Sequence, residues 1–224
     1  MQMVVHHVLP LALPGMLTEK LGFLRRLNSM FPEARILVSF RDHASYLNAL
    51  YSQYLRYGGT LALPEFFDLE NDAGYMKQAD LQFRTYVDAI HDFWGRRPFV
   101  FLLNELKEDR TRLISEMAVY FGVDSGPEEL TPGRRNVSLG WPQAEALRRI
   151  NRWSNTTLHR DGSTRPYRLL RKLNLDPPSL CQLWSRIRPG PPIIPDFMAA
   201  AINDYYASDW AYVKACRDKR LECE

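Results

Sequence analysis

The stretch ARILVSFRDHASYLNALYSQYLRYGG, residues 34–59, carries the residue types best suited to chemistry. A short apolar run, ILVSF over 36–40, delivers Arg41 at its end. Hydroxyl and amide side chains follow at helical spacing, among them Ser45 and Ser52. That combination suits a phosphate. A guanidinium is a planar two-pronged donor, a helix N-terminus adds backbone N–H groups and about half a positive charge, and hydroxyls complete the set. His43 falls in the turn, where it can touch an anion or cap the helix. Tyr46, Tyr51, Tyr54 and Tyr57 share that helix. Tyr54 and Tyr57, three apart, suit the wall of a ligand site, although aromatic residues at helical spacing are more often core.

The remaining candidates carry less. His6 and His7 could serve as a general base, but two histidines near a chain start are first read as frayed. His91 falls on a helical pattern and reads as structural, and Glu105 reads as the partner of an arginine. Cys181, Cys216 and Cys223 form no C-x-x-C and have no neighbouring His, so no metal site is expected and a reducing, cytoplasmic setting is the simpler reading.

The elements that must position these residues follow from periodicity. Leu17, Leu21, Leu24, Leu27 and Met30 predict an amphipathic helix, with Thr18 as its cap and Pro32 as its stop. ILVSF has the uninterrupted apolar character of a strand buried on both faces of a parallel sheet. From Ser45 the pattern is helical until Gly58 and Gly59, and a second helix spans about 80–94 up to Gly95. PFVFLL, 98–103, predicts a second strand, followed after Glu105 by a helix ending at Gly122. Alternating strands and helices imply a parallel sheet with ligands at the carboxyl ends of its strands. Arg41 and Glu105 both fall on that edge. Beyond Pro127 a loop leads to a helix near 143–153. The prolines within 176–195 predict an extended surface excursion, and a last helix over 196–217 packs back through Phe197, Ala201, Tyr205 and Trp210. Residues 1–130 are thus expected to form an α/β core, and 131–224 a basic loop and helical C-terminal part of the same domain.

Composition bounds the classes. With 224 residues, 46% hydrophobic, 25% charged and a net charge of +3, the chain is long enough for one folded domain, which excludes wholesale disorder. No apolar run approaches the roughly 20 residues of a bilayer-spanning helix, and the first residues lack a basic flank and cleavage site. No membrane partner is expected. The charge is uneven: residues 131–192 hold 12 Lys+Arg against 3 Asp+Glu, while 1–130 hold 13 against 17. Arginine forks suit phosphate or sulfate oxygens, and a solvated polar face is the plain alternative. Without a recognised motif or regular aromatic interleaving, no nucleic-acid partner is expected.

On these residues the sequence resembles the sulfotransferases that use 3′-phosphoadenosine 5′-phosphosulfate (PAPS), in particular bacterial ones of the heparan and carbohydrate type. Arg41 matches the strand-end arginine that holds the donor's 3′-phosphate in that family. The family's serine is expected eight residues on, where Ala49 stands, and Ser45 and Ser52 are the nearest hydroxyls. PFVFLLNELKEDRTRLISEMAVYFGVD, 98–124, resembles the family's second strand and helix. RRNVSLG, 134–140, resembles the segment that closes over the nucleotide, and DYYASDW, 204–210, the closing helix. The resemblance covers most of the chain from Ala34 onward. It implies a P-loop-NTPase-like sulfotransferase fold, with PAPS as co-substrate, bound by Arg41, Ser45, Ser52, Arg134 and Arg135.

One departure matters. Gly15 and Gly22 are the only glycines before Gly58, and neither lies in a G-x-x-x-x-G-K or K-x-G-T-T pattern, so the family's 5′-phosphosulfate loop is not present. The chain therefore reads as N-terminally incomplete. One missing hydroxyl costs about 0.5–1.5 kcal/mol, whereas losing that loop removes several aligned donors and a lysine, commonly the largest catalytic term. The resemblance implies a sulfotransferase-family protein acting on a hydroxyl of a carbohydrate-like or anionic acceptor, catalytically poor as written. Its catalytic residue is unassigned. The alternative is a non-catalytic relative that binds a nucleotide or polyanion.

Overall fold

The computed structural model describes residues 3–6, 17–123, 139–156, 158–160 and 177–220. Three parallel strands form where the chain runs apolar: β1 (Met3–His6), β2 (Arg35–Phe40) and β3 (Phe99–Leu102), in the order β1-β2-β3. Val4 pairs with Ile36, and Val38 pairs with both His6 and Val100, so β2 is the middle strand. The two strands expected from sequence are present. β1 was not anticipated, since four residues give too short a pattern to separate from a loop.

Most of the remainder is helical. α1 (Leu17–Met30) precedes β2, α2 (His43–Arg56) follows it, and α3 (Leu63–Phe66) and a 3₁₀ turn (Gln78–Leu81) lead to α4 (Phe83–Trp94). After β3 come α5 (Glu105–Glu108) and α6 (Arg110–Phe121), then α7 (Trp141–Trp153), α8 (Pro177–Ile187), α9 (Asp196–Tyr205) and α10 (Ala207–Asp218). α4 and α6 end at Gly95 and Gly122, both at φ 65°, a left-handed cap that glycine adopts without a Cβ clash.

The chain divides into two compact units that interleave along the sequence. The sheet unit comprises Met1–His43, Ala79–Pro132 and Asn203–Glu224; the helical unit comprises Ala44–Gln78 and Gly133–Ile202. In the sheet unit, Leu37, Phe99 and Phe101 pack with Leu113 and Phe121 of α6. Strand alternation sends Ile36, Val38, Phe40, Val100 and Leu102 to the opposite face, and all of these are buried too. α1 packs on α4, and α10 packs on α4 and β3. Both faces of the sheet are covered, as continuous apolar strands require. In the helical unit α7 packs on α8, and Tyr51, Tyr54, Leu55, Phe66, Ala144 and Leu147 are buried.

Several expectations need correction. Residues 177–187 are a helix, not an extended excursion. Prolines 177 and 178 occupy its first turn, where an absent N–H breaks no intrahelical bond, and the run SLCQLWSRI is free of breakers until Pro189. The last helix is broken at Tyr206, and Phe197, Ala201 and Tyr205 face solvent while Ile202, Tyr206 and Val213 are buried. Met30 is exposed rather than core, and His91 lies exposed on α4. Thr18 lies inside α1, and α2 begins at His43 rather than Ser45.

Candidate functional site

β2 ends at Phe40, whose carbonyl accepts from the Leu103 N–H just beyond β3 (2.7 Å). The carboxyl ends of the two strands are thereby held level. Arg41 and Asp42 follow immediately, both half-buried, and His43 opens α2. This turn, at the carboxyl edge of the middle strand of a parallel sheet, is the position where α/β sheets place ligands.

His43 fixes the turn. Its ring is 1% exposed and lies stacked between Tyr206 (4.5 Å, interplanar 3°) and Phe83 (4.2 Å, 23°), with Trp210 edge-on. Nε2 is 2.8 Å from Oδ2 of Asp209. Asp209 does more than meet the histidine: its two carboxylate oxygens accept the backbone N–H groups of Phe83 and Arg84, each at 2.9 Å. Those are donors of the first turn of α4, so one side chain of α10 caps α4 and anchors His43. Burial opposes the Asp209 charge, but the hydrogen bonds from His43, Arg84 and Phe83 outweigh it and hold the carboxyl below its usual range. Enclosed this way, His43 neither reaches a nucleotide nor caps α2 through its side chain. It positions the Arg41 turn.

A second lock sits behind β3. Glu105 accepts from the Leu102 N–H (2.6 Å) and from Arg220 (3.0 and 3.1 Å), and Arg217 is 3.7 Å away. Arg220 is buried, also pairs with Glu116, and lies over the Phe99 ring at 5.0 Å. Burial works against the Glu116 charge, yet hydrogen bonds from Arg112 and Arg220 keep its carboxyl below the usual range. Glu105 is thus an ion-pair partner, as its sequence context suggested.

The other candidates are more dispersed. Ser45 is exposed on the first turn of α2. Ser52 is 2% exposed and its hydroxyl donates to the Asn48 carbonyl of its own helix at 2.9 Å, so as placed it has no proton to give an anion. Arg134 and Arg135 lie outside the described residues, as does His7; of His6 only the backbone, in β1, is described. Tyr51 and Tyr54 are core. The Tyr51 hydroxyl donates to Leu61 O and the Tyr54 hydroxyl accepts from the Thr60 and Leu61 N–H groups, tying the chain after α2 back to it. Burial pushes the Tyr51 hydroxyl pKa well up. In the basic segment, Arg148 and Arg149 both bond Glu145 at 2.8–2.9 Å, which neutralises part of the charge on the spot.

Asp209, Tyr206 and Arg220 were missed from sequence. Asp209 is 166 residues from His43 and Arg220 is 115 from Glu105. No local pattern links them.

Among the described residues, no group of three or more His, Cys, Asp or Glu is placed to hold a metal ion. No helix among them is long and apolar enough to cross a membrane. No family model matches the chain, and neither a curated protein nor a solved structure matches it. The fold itself defines a mixed α/β chain, mostly helical, with a small parallel sheet whose middle strand delivers an arginine to its carboxyl edge.

Proposed function

We propose that this chain is a sulfotransferase-type protein that binds the 3′-phosphate of PAPS, or of the spent 3′,5′-adenosine bisphosphate, through Arg41, and serves sulfuryl transfer to a carbohydrate-like hydroxyl. The observation that carries this reading is the placement of Arg41 as the first residue after the middle strand of a parallel sheet, in a turn locked by the buried His43–Asp209 pair. A turn fixed before ligand arrives loses less entropy on binding. The motifs at 98–124 and 204–210 support the same reading, as does their shared position in the sheet unit.

In the transfer itself the acceptor oxygen attacks sulfur, the bridging S–O bond to the 5′-phosphate breaks, and the bisphosphate leaves with the electron pair. A base must take the acceptor's proton. His43 is not that base, because both ring faces and Nε2 are occupied and the side chain is closed to solvent. The sharing of Glu145 by two arginines makes the polyanion alternative the weaker reading.

Isothermal titration with 3′,5′-adenosine bisphosphate tests the proposal. Replacing Arg41 by Ala should weaken binding about ten- to hundredfold, the value of a charge-assisted fork. Equal heats and affinities for wild type and Arg41→Ala would falsify it.

A further inference from the structure

α8 of the helical unit presents two different faces. Pro177, Cys181 and Ser185 recur at every fourth position and are buried, and the helix's far end is tied to α7 by Gln143 Nε2 donating to the Arg188 carbonyl (2.9 Å) and Trp141 N–H to Pro191 O (2.8 Å). Leu180, Leu183, Trp184 and Ile187 form a second stripe at i, i+3, i+4 and i+7, and all four are exposed, Leu183 at 51% and Ile187 at 76%. At about 100° per residue the second stripe is centred roughly 110° away from the buried one. Arg186 lies on the flank of the stripe away from the buried face, and Arg186 and Arg188 are both exposed. One helix therefore has a narrow face seated in its own unit and a wider apolar face left to solvent, bordered by cations.

We propose that the Leu180–Leu183–Trp184–Ile187 face of α8 docks on an anionic lipid surface. Three observations select that occupant. No Asp or Glu occurs between Pro177 and Pro195, and Arg186 and Arg188 stand exposed beside the stripe, so its border attracts an anionic layer. The same charge opposes a second copy, because a two-fold contact through α8 would bring two cationic helices together with no Asp or Glu of either to pair them. Exposed Trp184 beside Leu and Ile, with Arg at the margin, is the pattern of a helix lying in the headgroup region. No membrane partner is expected from sequence, because a surface-lying helix of eleven residues leaves none of the signal of a spanning segment.

The test is flotation of the full chain with phosphatidylcholine vesicles, with and without an equal part of phosphatidylserine, while following tryptophan emission. The expected result is binding only to the anionic vesicles, with a blue-shifted emission, weakening as salt is raised. Leu183→Asp with Ile187→Asp should weaken binding at least tenfold, and Arg186→Glu severalfold, with unchanged thermal unfolding because these side chains are exposed. Failure of the wild type to bind anionic vesicles overturns the proposal, as does equal binding by the double variant. A wild-type dimer in light scattering that the double variant dissolves would assign the face to a second copy and overturn it equally. Bisphosphate titration of the same double variant separates this outcome from the fate of the Arg41 reading.

Discussion

The two units treat charge in opposite ways. In the sheet unit the buried ionic groups are matched internally: Asp209 serves His43 and two backbone N–H groups, and Arg220 serves Glu105 and Glu116. In the helical unit buried polar groups such as Asn151, whose Nδ2 donates to Leu55 O and Gly59 O, are neutral, Arg148 shares the half-buried Glu145 with Arg149, and Arg186 and Arg188 stand exposed beside Leu, Ile and Trp. Partnered charges keep the sheet edge rigid, whereas Arg186 and Arg188 stand at the surface at the end of α8.

This contrast predicts a ranking of losses. The largest should come from Arg220→Ala, which strands two carboxylates beside β3 without their shared cation, and should lower stability by about 3–5 kcal/mol in urea unfolding. A loss under about 1 kcal/mol would mean the network is solvated and the contrast wrong. Asp209→Ala comes next, at about 2–3 kcal/mol, since a helix cap and a buried His partner go together. Its pH dependence has a definite sign. The folded carboxyl is held below its usual range, so its stabilisation is complete above the unfolded value near about 4 and fades as pH falls through the folded value beneath it. The stability gap between wild type and Asp209→Asn should therefore shrink on acidification below about pH 4, and a gap that stays constant there would contradict the assignment.

Effects in the helical unit should be smaller. Asn151→Ala removes two hydrogen bonds that close the turn after α2, at a cost of about 1–2 kcal/mol by thermal unfolding. Ser52→Ala should change stability by less than about 1 kcal/mol, because its hydroxyl only back-bonds an already helical carbonyl. It should leave bisphosphate affinity unchanged. A marked loss of affinity would show that Ser52 turns outward on binding.

Local pattern disclosed β2, β3 and most helices, since these depend on runs of apolar residues and on punctuation by Gly58, Gly95 and Gly122. It disclosed where Arg41 would stand for the same reason. What it missed was set by distant partners. The break at Tyr206 belongs to a residue whose ring stacks on His43, and nothing in IND-YYASDW marks it. α8 was hidden by its prolines, which act as breakers in the middle of a helix and are harmless in its first turn. His43 read as a polar turn residue, and only the fold closes it between two rings.

A thermodynamic cycle measures directly the proposed contact of Arg41 with a 3′-phosphate. Titrate wild type and Arg41→Ala with 3′,5′-adenosine bisphosphate and with adenosine 5′-phosphate, which lacks the 3′ group. If the contact exists, removing the 3′-phosphate weakens binding to the wild type about ten- to hundredfold and barely affects Arg41→Ala. The same ratio of affinities in both proteins would place the 3′-phosphate elsewhere and contradict the account.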